Sequence, residues 1–290
     1  MERKHLICVG AAKAGTTWLS EQCRRHPSFF MPPMKEIHYF QSVYGTIDRL
    51  APIRRLSQVA KFLTASSKAV QAAADEKKRQ RLVRRQSNLA RWYALYASGR
   101  IDEKWYLNLF DAAAGDQFLC DFSAASCKIS DAGVEAMHRL SSQTYVLYIL
   151  RDPFDRLVSH TKFHAKFVGD LNWMRRAQQK EVEAYVRDRS LIDDSLYAHR
   201  IQQFRKRFGS DRLLVLDFDE LRRQPLTFLD RVSTFLGVPG FGSVDIERHT
   251  NPGPELVLPE GAFDAFKAET DAEVERLVEI GIDFAAKWRR

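Results

Sequence analysis

The sequence predicts an α/β domain of three layers, a central parallel sheet flanked by helices, and three observations predict it. Residues 6–9 are an apolar, strand-forming run that ends in a turn bracketed by Gly10 and Gly15, after which Thr16–Arg25 continues as a helix until Pro27. Thr144–Leu150, TYVLYIL, is almost unbroken in its apolar character, as expected of a strand covered on both faces of a parallel sheet. Residues 213–218, LLVLDF, form a further buried strand, and Pro225 then opens a helix that ends near Gly237.

The 290 residues suit one large domain in preference to two small ones, and a hydrophobic content of 45% is ample for a core. Forty-five basic against 37 acidic side chains give a net charge of +8, which fits an anionic ligand, polymer or surface without choosing among them. Cys8, Cys23, Cys120 and Cys127 show neither a paired metal spacing nor the density of a secreted disulfide scaffold. They are expected to be free thiols, with Cys8 and Cys120 buried in strand-like runs. No apolar run approaches a membrane span, and the N-terminus enters the fold almost at once, so a reducing cytoplasm is the expected location.

The first turn carries the chemistry. In a strand–loop–helix unit the backbone N–H groups of the loop and the positive end of the helix point at one spot, which favours a phosphate or sulfate there. The spacing of Gly10 and Gly15 fits the nucleotide-binding P-loop and its fold, but Thr16 takes the place of the P-loop lysine and Lys13 lies inside the loop. The stretch HLICVGAAKAGTTW instead resembles the 5′-phosphosulfate loop of sulfotransferases that use 3′-phosphoadenosine 5′-phosphosulfate (PAPS), in which a lysine, a small residue and Gly-Thr-Thr are usual. The resemblance implies a P-loop-NTPase-like sheet, with Lys13, Ala14, Gly15, Thr16 and Thr17 around the 5′ side of the donor and Trp18 against its adenine.

Further landmarks follow in the same order. Pro27 and Pro32-Pro33 force extended backbone before Lys35-Glu36-Ile37-His38-Tyr39-Phe40. This run resembles the Lys-Glu-x-His/Asn-aromatic-Phe segment of glycan-modifying and tyrosyl-protein-like sulfotransferases, which implies Glu36 as the base and His38 as its reserve. On the residues alone, Glu36 and His38 could equally be exposed neighbours of a strand that buries Ile37, Tyr39 and Phe40.

Residues 53–63 and 66–96 read as helices, within a helical insertion expected over about 44–116. Lys77, Lys78, Arg79, Arg81, Arg84, Arg85 and Arg91 are expected on a solvated face, with a groove for an acidic polymer as the other reading. Arg91-Trp92-Tyr93 and Trp105-Tyr106 interleave aromatics and charge as sugar-binding surfaces do, or else are core contacts. Residues 117–122 are a candidate second strand, and 131–140 a covering helix with Asp131 near its start. Asp121 and Ser123 keep part of the family's pattern at this point, but Phe122 and Ala124 depart from it.

The most specific signal follows Thr144–Leu150. Arg151, Asp152-Pro153, Arg156 and Ser159 resemble the 3′-phosphate motif of the same family. Asp152 should cap the next helix with Pro153 in its first turn, and Ser159 lies about two turns in, so that Arg151 and Ser159 can meet one anion. Arginine offers a phosphate planar, charge-assisted hydrogen bonds and serine a neutral donor. His160 and His164 have the spacing of a metal pair but lack a third ligand, and no metal is expected.

Residues 194–208 form an amphipathic helix whose start implies Tyr197 near the adenosine, although a packed tyrosine fits as well. The turn-rich segment 248–254 should be a loop, with Arg248 and Asn251 as loose matches to residues that fold over the 3′-phosphate, and 259–290 a helical tail.

Taken together, the resemblance implies a single domain over 1–290 that transfers a sulfuryl group from PAPS to an acceptor hydroxyl, favouring carbohydrate, and releases adenosine 3′,5′-bisphosphate. Absence of the membrane anchor found in animal secretory relatives implies a bacterial protein or a trimmed one. No nucleic-acid partner is expected. Two competitors are weighed: a P-loop kinase or nucleotidase with Asp217 or Asp219 holding magnesium, and a non-enzymatic polyanion-binding protein using residues 77–91.

Overall fold

The computed structural model describes residues 2–242 and 256–290. Five parallel strands, β1 (Lys4–Gly10), β2 (Phe29–Phe30), β3 (Phe118–Asp121), β4 (Thr144–Leu150) and β5 (Leu213–Asp217), lie in the order β2-β3-β1-β4-β5. Ile7 pairs with Asp121 on one side and Val146 on the other, and Ile149 pairs with Leu216. Leu6 to Val9 and Val146 to Leu150 are almost wholly buried, which is why both runs are apolar at every position.

Helices cover both faces of this sheet, as parallel crossovers require. The first part of the chain supplies α1 (Thr16–Arg25), α2 (Tyr39–Tyr44), α3 (Pro52–Gln71), α4 (Glu76–Ala97), α5 (Glu103–Asn108) and α6 (Asp131–Arg139). Then follow α7 (Pro153–Val168), α8 (Leu171–Met174), α9 (Gln179–Asp188), α10 (Ala198–Phe208), α11 (Phe218–Arg223), α12 (Pro225–Leu236) and α13 (Lys267–Glu279). A second apolar cluster, including Leu157, Met174, Val182, Val186 and Phe266, packs α7 to α9 against residues 256–266.

The topology singles out one place. From β1 the chain runs through α1 to β2 on one side of the sheet, and from β4 it runs through α7 towards β5 on the other. The crevice between the carboxyl ends of β1 and β4 is therefore the switch point, where open parallel sheets receive ligands.

Several expectations change. The extended run through Tyr39 and Phe40 ends at His38, and both aromatics begin α2 while remaining buried with Ile37 as foreseen. The break between the two long helices falls at residues 72–75 rather than 64–65, because Asp75 caps α4 by accepting from the Lys78 amide at 2.6 Å. The strand over 213–218 stops one residue earlier, Asp217 capping α11. The helix over 194–208 begins only at Ala198, after a 3-10 turn at Asp193–Ser195. The tail is one helix, α13, flanked by 3-10 turns at Asp264–Phe266 and Asp283–Trp288.

The basic residues of α4 are exposed, as a solvated helix face should be. Trp92, Trp105 and Tyr106 are core residues instead of a sugar platform: the two indoles donate to the carbonyls of Leu109 and Leu95, and Tyr106 stacks on Tyr39 at 4.7 Å. All four cysteines are buried free thiols. Among the described residues no helix is long and apolar enough to cross a membrane.

Candidate functional site

At the end of β1 the chain turns away while still tied to its neighbour, the Ala11 amide donating to the Ile149 carbonyl at 2.7 Å. Gly10 is needed there because a Cβ would come within 2.9 Å of the Tyr148 ring. Lys13 has φ 72° and Gly15 φ 83°, two left-handed residues that coil the loop back onto itself. Gly15 is the N-cap of α1 and no side chain caps that helix, so its first N–H groups face the loop mouth without a capping partner. The half-buried Lys13 ammonium sits 4.3 Å above the Phe163 ring of α7. Burial lowers its pKa first, and the charges of Arg151, Arg156 and Lys166 lower it further.

Arg151 enters the same space from the tip of β4. Asp152 caps α7 by accepting from the Asp155 amide at 2.9 Å, with Pro153 in the first turn, as the sequence anticipates. This fixes the direction in which the preceding arginine leaves the sheet. The Arg151 guanidinium donates to the Lys13 carbonyl at 3.4 Å and lies 5.2 Å above the Phe218 ring. Its own carbonyl accepts from the Tyr197 hydroxyl at 3.0 Å. Arg290 takes the adjacent Asp152 carboxylate at 2.8 Å, and among the described residues neither Lys13 nor Arg151 has a carboxylate ion-pair partner. Ser159 is half-buried on α7, one turn before Phe163 and so on the side of the helix that meets Lys13.

Arg156 has a different part. It is fully buried, donating to Ser195 Oγ at 2.9 Å, His160 Nδ1 at 2.8 Å and the Leu191 carbonyl at 3.1 Å, with Asp194 at 3.5 Å. It fastens the 191–195 segment to α7. Burial pushes the His160 pKa down to about 3, so this imidazole is neutral and accepts from Arg156 through Nδ1. His164 Nδ1 meets the Tyr185 hydroxyl at 2.9 Å. Among the described residues no group of His, Cys, Asp and Glu is placed to hold a metal.

The third component comes from the segment before α2. His38 adopts φ 62°, and its amide donates to Ser123 Oγ at 2.9 Å, which in turn donates to Asp121 Oδ1 at 2.5 Å. The end of β3 thus holds the turn that presents Glu36 and His38. Glu36 Oε2 lies 3.2 Å from His38 Nε2, and Oε1 lies 3.6 Å from Lys35 Nζ. Burial raises the Glu36 pKa, but the His38 hydrogen bond and the Lys35 charge outweigh it, and the carboxyl is held below the ordinary carboxylate range. Asp121 is pushed up to about 6, burial outweighing the hydroxyl of Ser123. Lys35 reaches across to α1, donating to Thr16 Oγ1 at 3.0 Å and Thr17 Oγ1 at 2.9 Å.

The fold therefore brings Lys13, Ala14, Gly15, Thr16, Thr17 and Arg151 to the switch point, with Ser159 one turn before Phe163 on α7 and Glu36 and His38 joined to the loop through Lys35. Trp18 and Tyr197 lie behind this cluster, Tyr197 as the packed tyrosine that the sequence also allows. Trp18 is only 8% exposed and packs in the core, and Tyr197 is wholly buried beneath Arg151. Both support the site from behind. Arg248 and Asn251 lie outside the described residues. Asp217 and Asp219, the acids a kinase would need for magnesium, are engaged by Lys287, and Asp219 also accepts from Trp288. Lys35 is the residue that sequence reasoning passes over, since only its place beside Glu36 hints that it touches the first loop. Chemically, two half-buried cations with no carboxylate ion-pair partner among the described residues, an uncapped helix N-terminus and two threonine hydroxyls are groups able to receive an anion, with a carboxylate alongside them.

A family model described as the Sulfotransferase family matches residues 6–242. Among solved structures, a sulfotransferase from Alicyclobacillus acidocaldarius is similar at TM-score 0.67 and 22% identity, over 100% of both chains. A sulfotransferase domain from the curacin biosynthetic pathway has a TM-score of 0.46 and 16% identity over 90% of this chain and 82% of that one. The sulfotransferase domain of the Synechococcus PCC 7002 olefin synthase also has a TM-score of 0.46, with 15% identity over 94% and 96%. No curated protein matches significantly.

Proposed function

The chain belongs to the sulfotransferase family, and from that premise we propose that it transfers a sulfuryl group from PAPS to an acceptor hydroxyl, on a carbohydrate by preference. The observation that carries the reading is the meeting of Arg151 with the Lys13 loop, the guanidinium 3.4 Å from the Lys13 carbonyl across the β1/β4 crevice. A ligand with an anionic group at each end fits two cationic clusters so placed. A P-loop kinase gives Arg151 and Ser159 no task.

In this reading Lys13, Ala14, Gly15, Thr16 and Thr17 hold the 5′-phosphosulfate through backbone N–H groups, hydroxyls and the ammonium. Arg151 and Ser159 hold the 3′-phosphate. Glu36 takes the proton of the acceptor hydroxyl as its oxygen bonds to sulfur, in line with the breaking bond between sulfur and the bridging phosphate oxygen. Lys13 neutralises the charge that grows on that departing oxygen, and adenosine 3′,5′-bisphosphate leaves. His38, at 3.2 Å from Glu36, orients the carboxylate and is the alternative base.

Thermal shift distinguishes the readings at once. Adenosine 3′,5′-bisphosphate without metal should stabilise the protein, whereas stabilisation by ATP with magnesium alone would support a kinase and overturn the proposal. Incubation with labelled PAPS and a panel of sugars, lipids, phenols and peptides then identifies the acceptor. Transfer confined to non-carbohydrate alcohols would overturn the carbohydrate preference.

A further inference from the structure

We propose that Lys35 is a positioning residue that prepares the donor cradle and couples its occupancy to the base: it turns the Thr16 and Thr17 hydroxyls into donors for the ligand and loosens its hold on Glu36 when the donor arrives. The proposal rests on the PAPS reading above and adds to it a residue outside the expected set.

An ammonium has N–H donors and no lone pair to offer. In its contacts at 3.0 and 2.9 Å with Thr16 Oγ1 and Thr17 Oγ1, both oxygens must therefore be acceptors. Each threonine's own hydroxyl hydrogen is left to point away from Lys35 and can be given to another acceptor. Both threonines belong to the first turn of α1, where the uncapped N–H groups also lie. One lysine thus fixes two rotors in the sense an anion requires, before any anion is present. The side chain is 19% exposed, so its charge is shielded little by solvent and is felt across the site.

The same ammonium is 3.6 Å from Glu36 Oε1. The other groups facing Glu36 are His38, at 3.2 Å on the same segment, and Asp121 at the end of β3, whose charge interacts with it. Of these only Lys35 also touches the loop that would receive the donor. A phosphosulfate in the cradle adds negative charge beside Lys35 and draws it away from the carboxylate. Glu36 then becomes a better proton acceptor at the moment a sulfuryl group is available. Without the donor, Lys35 keeps the carboxylate paired and a poor base.

The test needs no acceptor. Glutamate carboxyls labelled with ¹³C, with Glu36 assigned through E36Q, are titrated by NMR in wild type, K35M and K35R, each with and without adenosine 3′,5′-bisphosphate, whose affinity is measured in parallel by calorimetry. In wild type, the Glu36 titration should move up by about half a unit to one unit on nucleotide binding. In K35M it should start higher, move less on binding, and the affinity should fall by about 10- to 100-fold. K35R should restore most of both effects. Thr17→Val, which keeps Lys35, should weaken nucleotide binding while leaving the nucleotide-linked movement of Glu36 in place. If K35M loses thermal stability but keeps both the affinity and the Glu36 movement of wild type, Lys35 is a structural tether and the proposal is wrong. If K35M does not fold, Lys35→Gln is read in its place against the same outcomes. Failure of wild type itself to bind the nucleotide would instead overturn the PAPS reading, and this proposal with it.

Discussion

Replacing Glu36 by glutamine removes a proton acceptor and little else. The amide oxygen can still accept from His38 Nε2 at 3.2 Å, and the side chain is 40% exposed, so its attraction to Lys35 at 3.6 Å is partly screened. Stability should change by less than about 1 kcal/mol, and adenosine 3′,5′-bisphosphate should bind about 3- to 10-fold more tightly than to wild type, the reciprocal of the upward shift that the nucleotide imposes on Glu36. A positioned general base contributes roughly 10²- to 10⁴-fold, which corresponds to about 3–5 kcal/mol of barrier. The rate of sulfuryl transfer should fall by that factor, measured in single turnovers with labelled PAPS and saturating acceptor. Because the His38 hydrogen bond and the Lys35 charge outweigh burial and hold the carboxyl below its ordinary range, it is ionised at neutral pH, and activity dependent on it should be lost only as pH falls into the acidic range. A rate within about three-fold of wild type, with nucleotide binding no weaker than wild type, would take the base role away from Glu36.

Two other perturbations probe the scaffold. Gly15→Ala places a Cβ 2.9 Å from Leu221 Cδ1 at a residue with φ 83°, so stability should fall by about 2 kcal/mol and nucleotide affinity by at least about ten-fold. Urea denaturation and calorimetry check both, and unchanged affinity would mean that the loop conformation does not matter for binding. Asp121 has a folded pKa of about 6, above its unfolded value near ~3.9, so the native state binds the proton more tightly. Its contribution is full below the unfolded value and is lost as pH rises through 6, by up to about 3 kcal/mol. Asp121→Asn should therefore gain on wild type between pH 4 and 7 in urea midpoints, and parallel curves would refute the raised value.

What could be read beforehand depended on whether a residue's environment is local. Thr144–Leu150 is a strand in the structure over the same residues, because burial on both faces leaves an apolar side chain at every position. The cap of α7 was legible because Asp152 and Pro153 act within one turn. The two-residue strand β2 carries no pattern of its own and forms only because β3 offers its edge to Phe29 and Phe30. His38 shows no sign in sequence of its left-handed backbone, which Ser123 and Asp121 hold from 85 and 83 positions further along the chain. Motif alignment gives Trp18 and Tyr197 a place near the site but not their burial, which the packing of distant helices sets. Lys35 was visible as a neighbour of Glu36 but not as a partner of Thr16 and Thr17, since the intervening turn decides where it reaches.

The central claim is that the Lys13 loop and Arg151 grip opposite ends of one nucleotide at the β1/β4 crevice. Its most direct test compares the affinities of adenosine 3′,5′-bisphosphate and adenosine 5′-monophosphate in wild type, Arg151→Ala and Lys13→Ala. A charge-assisted contact to the 3′-phosphate is worth roughly 1.5–3 kcal/mol, so wild type should prefer the bisphosphate by about 10- to 100-fold. Arg151→Ala should abolish that preference, and Lys13→Ala should weaken both ligands alike. A preference for the bisphosphate that survives intact in Arg151→Ala would contradict the account.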